Sequence, residues 1–436
     1  MSAPDQMSAV DAAWWKMEDP TNPMTITAVF TFAEPLDAVR LRDLLEHRLM
    51  AHDRFRQRVV PSDSPFGAPS WWNSGPVPVS DHLREVVLRE GADRAELEEL
   101  VGVLMSTPLD PERPLWEFHH VRNYRGGSAL VARVHHCIGD GLGLMQLMLQ
   151  LDEQPSEAKS ALPVRRRDEN GSDGFGLLAA PRLAGSVARV LGRLLAMPAD
   201  PPTRFKGPLG TRKRAAWSEP IPLDDVKFIG RRVGGTVNDV LLSAVAGALR
   251  SYLCEHGSLP EGRSLRGVIP VNLRGADELD TLGNKFGLVF LSLPVGTADA
   301  RERLRAVHAS MDALKRSPEA LVVYGLLRTF GRAVEPLLDT AVSLLGSKAT
   351  AVMTNVPGPR EPVYFCGQPI RSIMFWVPQS GHLGLGVSVL SYAGEVRIGV
   401  ATDAGLVPDP EAIVAAYQEA VGELMREARS VAAGIG

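Results

Sequence analysis

The sequence predicts an α/β protein of two domains, each mixing strands with helices, and three observations predict it. Both halves of the chain alternate strand-like runs with helix-like runs. The 436 residues, 45% hydrophobic and 22% charged, exceed what one core ordinarily absorbs. Between the halves, residues 153–202 change to linker chemistry: Pro155, Pro163, the run Arg165-Arg166-Arg167, and Gly171-Ser172-Asp173-Gly174. The expected division is a first domain over 1–154, a basic crossover linker with a helix over 155–215, and a second domain over 216–436.

In the first domain, residues 24–32 alternate and are rich in Thr, Val and Phe, which is a strand pattern. Pro35-Leu36-Asp37 then starts a helix over 38–50. Leu97, Leu100, Val101 and Leu104 recur at helical spacing within 93–105. Residues 116–121 and 129–135 read as paired strands around Tyr124-Arg125-Gly126-Gly127, and 142–151 as a helix. In the second domain, Thr236-Val237-Asn238-Asp239 is a helix-start signal, with Val240, Leu241, Val245, Ala248, Leu249 and Leu253 behind it. Residues 266–271 and 286–293 are strands. A helical stretch over 301–345 is broken at Pro318 and Pro336. Residues 349–353 form a short buried strand ending at a rigid loop, Asn355 to Pro359. Residues 385–391 and 395–401 form a hairpin around Ala393-Gly394, and 412–432 a closing helix.

Composition narrows the function. Lys plus Arg is 47 and Asp plus Glu is 51, a net charge of -4. Nothing in that balance suggests nucleic acid, so any anion site must be local. Three cysteines, Cys137, Cys254 and Cys366, make no disulfide framework and fit a reducing cytoplasm. Residues 1–7 are polar and lack a signal-like core, and no apolar run is long enough to span a bilayer. Over 157–214, twelve basic residues stand against five acidic ones. Within that stretch, 177–197 is apolar with Arg182, Arg189 and Arg193 interspersed. It reads either as a helix packed across two domains or as contact with an anionic lipid surface or cofactor phosphates.

The chemistry concentrates in His135-His136-Cys137-Ile138-Gly139-Asp140-Gly141, at a strand-to-helix junction. A histidine titrates near neutral pH and can take a proton from a hydroxyl or thiol and return it. Asp140 stands at the new helix's N-terminus, where its charge is favourable. Gly141 allows backbone geometry that a side chain would resist. Adjacent strand residues point to opposite faces, so His135 and His136 cannot readily share a metal ion, and no nearby cluster completes a coordination shell. The same alternation lets one histidine face a cleft and makes the other structural. His136, nearer the turn, is the expected active one. Cys137 points away from it and is no nucleophile.

Several motifs together make the chain resemble the bacterial bifunctional wax ester synthase/acyl-CoA:diacylglycerol acyltransferases. These belong to the coenzyme A-dependent acyltransferase superfamily, with chloramphenicol acetyltransferase and condensation domains. The histidine motif carries the superfamily. The narrower resemblance rests on Pro114-Leu115-Trp116, Asn238-Asp239-Val240-Leu241-Leu242, Pro270-Val271-Asn272-Leu273-Arg274, Gly283-Asn284 and Thr354-Asn355-Val356-Pro357-Gly358-Pro359. The opening also matches, with Asp11, Trp14, Trp15, Glu18 and Pro23-Met24.

The resemblance implies two chloramphenicol-acetyltransferase-like domains around a central channel, with some C-terminal residues crossing back to the first sheet. It implies long-chain acyl-CoA as co-substrate, with no further cofactor and no metal. The acceptor would be a fatty alcohol or diacylglycerol, giving wax ester or triacylglycerol. It makes His136 the general base, His135 its support, and Asp140 a carboxylate paired with an arginine, for which Arg274 is the choice. Asn238, at a helix start, is the expected polar helper for the oxyanion, with simple N-capping as its competing role. Trp116, Asn355 and Pro357 are expected along the channel. Insoluble products imply peripheral association with the inner membrane or lipid droplets. Two alternatives stand beside this reading: a carrier-protein-dependent condensing or polyketide-lipid acyltransferase of the same superfamily, and a non-catalytic lipid-binding protein.

Overall fold

The computed structural model describes residues 5–64, 67–151, 180–258, 262–275 and 282–434. Residues 155–179 of the expected linker, with Pro155, Pro163 and the arginine run, lie outside them. Two large sheets dominate. The first has six strands in the order Tyr364–Phe365, Gln368–Trp376, Thr25–Phe32, Gly127–His135, Trp116–Tyr124, Leu83–Ala92. Only its last pair is parallel. The second runs Phe286–Leu293, Leu265–Asn272, Ala351–Pro357, Leu385–Tyr392, Glu395–Asp403, Lys213–Trp217, with Ile221–Pro222 also on Glu395–Asp403. Ala351–Pro357 is parallel to both neighbours. A three-stranded sheet of Asp5–Gln6, Ser70–Asn73 and Gln57–Val60 flanks the first.

Each sheet has its own core. Phe30, Leu41, Trp116, Val131 and Leu147 belong to the first, and Leu241, Val245, Leu249, Val387, Ile398, Tyr417 and Leu424 to the second. The halves are nonetheless interlocked. Gln368–Trp376, late in the chain, pairs antiparallel with Thr25–Phe32 and so completes the first sheet. Lys213–Trp217, across the expected boundary between linker and second domain, is an edge strand of the second sheet. Helix Arg94–Met105 lies against that strand so closely that a Cβ on Gly102 would sit 2.9 Å from the Lys213 carbonyl oxygen. Trp217 N–H donates to Glu98 Oε1 at 2.9 Å across the same seam.

The helical stretch breaks where the prolines require. Ala300–Lys315, Glu319–Phe330 and Glu335–Ser347 are separate helices, with Pro318 at the N-cap of the second and Pro336 in the first turn of the third. One expectation is corrected, and one choice between two readings is decided. The stretch from Asn355 is not a loop: the strand runs through Val356 to Pro357, in register with Val389 to Ser391, because a terminal proline interrupts no central ladder. Helix Ala180–Ala196 follows the packed one of its two readings, with apolar side chains against the second domain. Val190 and Leu194 are buried, with Val187 and Leu191 partly so, against Val268, Phe290, Val323 and Val352 of the second sheet and its helices. Arg193 reaches Glu319, fully buried, at 3.4 Å. Leu177 and Leu178 and the side chains of Arg182 and Leu183 lie outside the described residues.

Candidate active site

Strand Gly127–His135 is buried along its whole length between two neighbours, so its end is a fixed point in the molecule. Beyond it the chain turns. His136 N–H donates to Met24 O at 2.7 Å, and Ile138 N–H to His135 O at 3.0 Å. Asp140 then caps helix Gly141–Gln150, its Oδ1 accepting Gly143 N–H at 2.9 Å.

The two histidines diverge. His135 Nδ1 accepts Cys137 N–H at 3.1 Å, so that ring carries its proton on Nε2. Nε2 faces Glu18 Oε2 at 3.3 Å, and the same oxygen accepts Met24 N–H at 2.6 Å. His135 thus ties the strand end to the N-terminal segment. His136 instead forms part of the wall of a cavity of about 660 Å³ between the two sheets. That volume is ordinary for a small-molecule site. Burial drives the His136 imidazole down to about 4, against the pull of the nearby Asp140 carboxylate, so it is neutral at pH 7. Its ring stacks on Trp14, centroids 4.1 Å apart and planes 9° from parallel, with Phe286 at 5.5 Å. Cys137 is buried, its thiol pushed well up by desolvation, and it is not on the cavity wall.

Asp140 and Arg274 come together as an ion pair, their side chains 9% and 3% exposed. The other arm of the Arg274 guanidinium donates to Gly283 O, and Asp140 N–H reaches that carbonyl at 3.3 Å. The pair therefore joins the first domain's turn to the second domain beside the histidine. Gly141 is corrected. Its φ is not positive, and a Cβ there would meet Phe375 and Val377 at an ordinary 3.6 and 3.7 Å. What glycine leaves there is space on the cavity wall, not a backbone conformation. Gly141 and Phe375 also border a small apolar chamber between helix Gly141–Gln150 and the first sheet.

From the second domain, Asn238, Asn355 and Pro357 line the cavity. Asn238 is not the cap of its helix. Thr236 is, in a reciprocal box with Asp239. Asn355 Nδ2 donates to Asn238 Oδ1, which leaves Asn238 Nδ2 as the donating end. Trp116 is corrected: it is absent from the cavity wall. Strand alternation puts it with Phe118 against Phe55, where its Nε1 donates to Phe55 O at 2.9 Å and its ring stacks on His82 at 4.4 Å.

Four residues at the site went unassigned in the sequence. Trp14 covers the histidine ring, Phe286 flanks it, and Asn284 Nδ2 donates to both His136 O at 2.7 Å and Asp11 Oδ1 at 2.8 Å. Asp11, Trp14 and Asn284 all fall within segments that carry the resemblance, which was their only signal. Among the described residues, no group of three or more His, Cys, Asp or Glu side chains could hold a metal ion.

Comparison with known proteins agrees over almost the whole chain. Residues 7–241 match the family model of the wax ester synthase/diacylglycerol acyltransferase catalytic domain, and 282–425 that of the WS/DGAT C-terminal domain. A Mycobacterium tuberculosis protein named as a diacylglycerol O-acyltransferase is 30% identical, over 97% of this chain and 91% of its own. A second one from that organism is 27% identical over 97% and 96%. The solved wax ester synthase/diacylglycerol acyltransferase of Marinobacter aquaeolei VT8 superposes with a TM-score of 0.72 at 24% identity, covering 98% of this chain and all of the other. The first condensation domain of the calcium-dependent antibiotic synthetase shares the fold at a TM-score of 0.64 and 18% identity, over 98% and 97%.

Proposed function

The chain belongs to the wax ester synthase/diacylglycerol acyltransferase family, and from that premise we propose that it is an O-acyltransferase that moves a long-chain acyl group from acyl-CoA to a fatty alcohol, a diacylglycerol or both, with His136 as general base. The observation that carries this reading is the placement of His136. A neutral imidazole stands on the wall of a largely apolar cavity lined from both domains.

The step is a direct transfer. His136 takes the proton of the acceptor hydroxyl as that oxygen attacks the thioester carbonyl. The carbonyl electrons move onto oxygen, and Asn238 Nδ2 is the donor proposed to meet that oxyanion. Collapse re-forms the carbonyl and breaks the C–S bond. The departing thiolate takes the proton from the imidazolium, whose charge faces Asp140. His135, turned to Glu18, and Arg274, held by Asp140, act through structure. No cofactor beyond acyl-CoA and no metal enters the scheme.

Thiol release from palmitoyl-CoA, measured with hexadecanol and with a dioleoylglycerol, tests the reading. His136→Ala should lose about 10²–10⁴-fold in rate. Retention of more than a tenth of the parent rate ends the assignment. His135→Ala should cost less. Transfer from acyl-carrier protein in preference to acyl-CoA would favour the condensing-enzyme alternative.

Peripheral association with the inner membrane or lipid droplets belongs to the same proposal. Among the described residues, no helix is long and apolar enough to cross a membrane. Helix Ala180–Ala196 spends its apolar face on the protein. Leu195, Leu321, Leu337 and Leu344 stay exposed on it and on two adjoining helices and supply apolar surface for lipid contact. Flotation with anionic vesicles should weaken when Leu321, Leu337 and Leu344 become Ser. Undiminished flotation would move the contact elsewhere.

A further inference from the structure

Around the site His135 Nε2, Trp14 Nε1, His136 Nδ1 and Asn284 Oδ1 are buried without a hydrogen-bond partner, and the last two bear directly on the base. They belong to residues already joined, since Asn284 Nδ2 donates to the His136 carbonyl. Orphaned buried polar atoms are costly, so two of them side by side call for a role.

The Asn284 amide can point only one way. Its Nδ2 meets two acceptors, the His136 carbonyl at 2.7 Å and Asp11 Oδ1 at 2.8 Å. Exchanging the amide's two ends would set its oxygen against both, acceptor against acceptor. Asp11 is itself held, its Oδ2 accepting Ser8 Oγ–H at 2.7 Å and its backbone N–H donating to Ser8 Oγ at 3.1 Å. With Nδ2 fixed, Oδ1 is left as an acceptor beside the ring. A proton on His136 Nδ1 would match it and would leave the Nε2 lone pair for the cavity. The residue's own carbonyl also addresses the ring, and because that oxygen accepts the Asn284 amide as well, both acceptors favour the same Nδ1–H form.

Trp14 acts on the same ring from its face. Helix Ala9–Lys16 carries Asp11 and Trp14 together and is anchored at its far end, where Lys16 Nζ donates to Ala333 O at 3.0 Å. The helix crosses so near the second domain that a Cβ on Gly331 would lie 1.6 Å from Ala9 O. The stack is therefore braced rather than loosely laid.

We propose that Asn284, oriented by Asp11, is a positioning residue that holds His136 in the Nδ1–H tautomer, and that Trp14 fixes the plane of the ring. This rests on the reading of His136 as general base. Neither residue need touch substrate. They keep the base's lone pair aimed at the acceptor hydroxyl, as outer partners of a working histidine do.

The test uses the full-length protein labelled with ¹⁵N-histidine. Ring-nitrogen NMR should report His136 as a single Nδ1–H tautomer in the parent and as a mixture in Asn284→Ala. Thiol release should fall by about 10–100-fold in kcat, the range seen when such outer partners are lost, with KM little changed. Asn284→Asp keeps an acceptor but adds charge, so the acid limb of its pH–rate profile should move upward. Trp14→Leu should lower kcat without changing the tautomer. Should Asn284→Ala fail to fold, Asn284→Ser is read in its place. Unchanged ring signals in the alanine or serine variant, or a kcat within about twofold of the parent, overturn the proposal. The ring signals need no turnover, so they stand apart from the His136→Ala assay that tests the base itself.

Discussion

Removing Asp140 and Arg274 one at a time should cost more in sum than removing both together. The pair is nearly dry, with side chains 9% and 3% exposed, and it crosses from the turn after strand Gly127–His135 to the segment after Leu265–Asn272. In Asp140→Asn the amide can still cap Gly143 N–H, so the cap itself survives. What remains is a buried guanidinium with one carbonyl partner, Gly283 O. Stranding a buried charge in this way costs about 3–5 kcal/mol. Arg274→Met strands the carboxylate instead. That carboxylate keeps Gly143 N–H at 2.9 Å, Lys285 N–H at 3.4 Å and the start of a helix, so the loss should be smaller, about 2–3 kcal/mol. The double variant strands nothing and loses only the staple, about 2–4 kcal/mol. The coupling should therefore be at least about 1 kcal/mol. Urea titration of the four proteins, followed by tryptophan fluorescence and compared at the first transition, measures it. Losses that add within about 0.5 kcal/mol would refute the argument, because independent sites behave that way.

Three further outcomes follow from the same physics. Because burial lowers His136 to about 4 from 6.5, the unfolded chain binds more protons than the folded one between those values; as pH drops from 6.5 to 4 the parent should lose up to about 3 kcal/mol more stability than His136→Ala. Turnover should keep its base unprotonated down to the same low limb, and a limb near 6.5 would contradict it. Glu98 is opposite in sign: burial raises its carboxyl to about 7, so the folded state keeps a proton that the unfolded state loses, and stability should fall as pH rises from about 4.5 to 7. Glu98→Gln retains an acceptor for Trp217 N–H and should be more stable than the parent at pH 8 by about 1 kcal/mol, yet equal at pH 5; denaturant midpoints at the two values decide it. Gly141→Val would fill space between the cavity and the apolar chamber behind helix Gly141–Gln150; kcat/KM should shift toward shorter acyl-CoA by roughly tenfold or more, and an unchanged chain-length profile would place the acyl chain elsewhere.

Much of the scaffold was legible because its signals are local. Residues 24–32 and 129–135 carry the composition and apolar runs of buried strands, and Pro318 and Pro336 fall where helices restart. The resemblance implied a return of C-terminal residues to the first sheet but not which ones, because what makes Gln368–Trp376 a strand there is Thr25–Phe32, at the other end of the chain. Leu83–Ala92 escaped for a different reason. It is an edge strand with charged residues at Arg84, Glu85, Arg89 and Glu90, the pattern by which edges avoid further pairing and which periodicity reads as loop.

The site divides along the same line. The divergence of His135 and His136 follows from strand alternation alone, and the need of a buried carboxylate for a cation points from Asp140 to an arginine. Trp116 misled because an aromatic in a motif says nothing about which sheet face it takes; its partners are Phe55 and His82, not the cavity. Gly141 misled because a glycine after an aspartate suggests an unusual turn, whereas here it preserves volume. Asp11, Trp14 and Asn284 share the deepest reason for being missed. Each is ordinary in its own segment: a residue in the first turn of a helix, an apolar face position, and a polar residue before a strand. Their chemistry appears only when the N-terminal helix and the second domain close on the histidine from two sides. The base can be read from seven residues, but what orients it is a property of the fold.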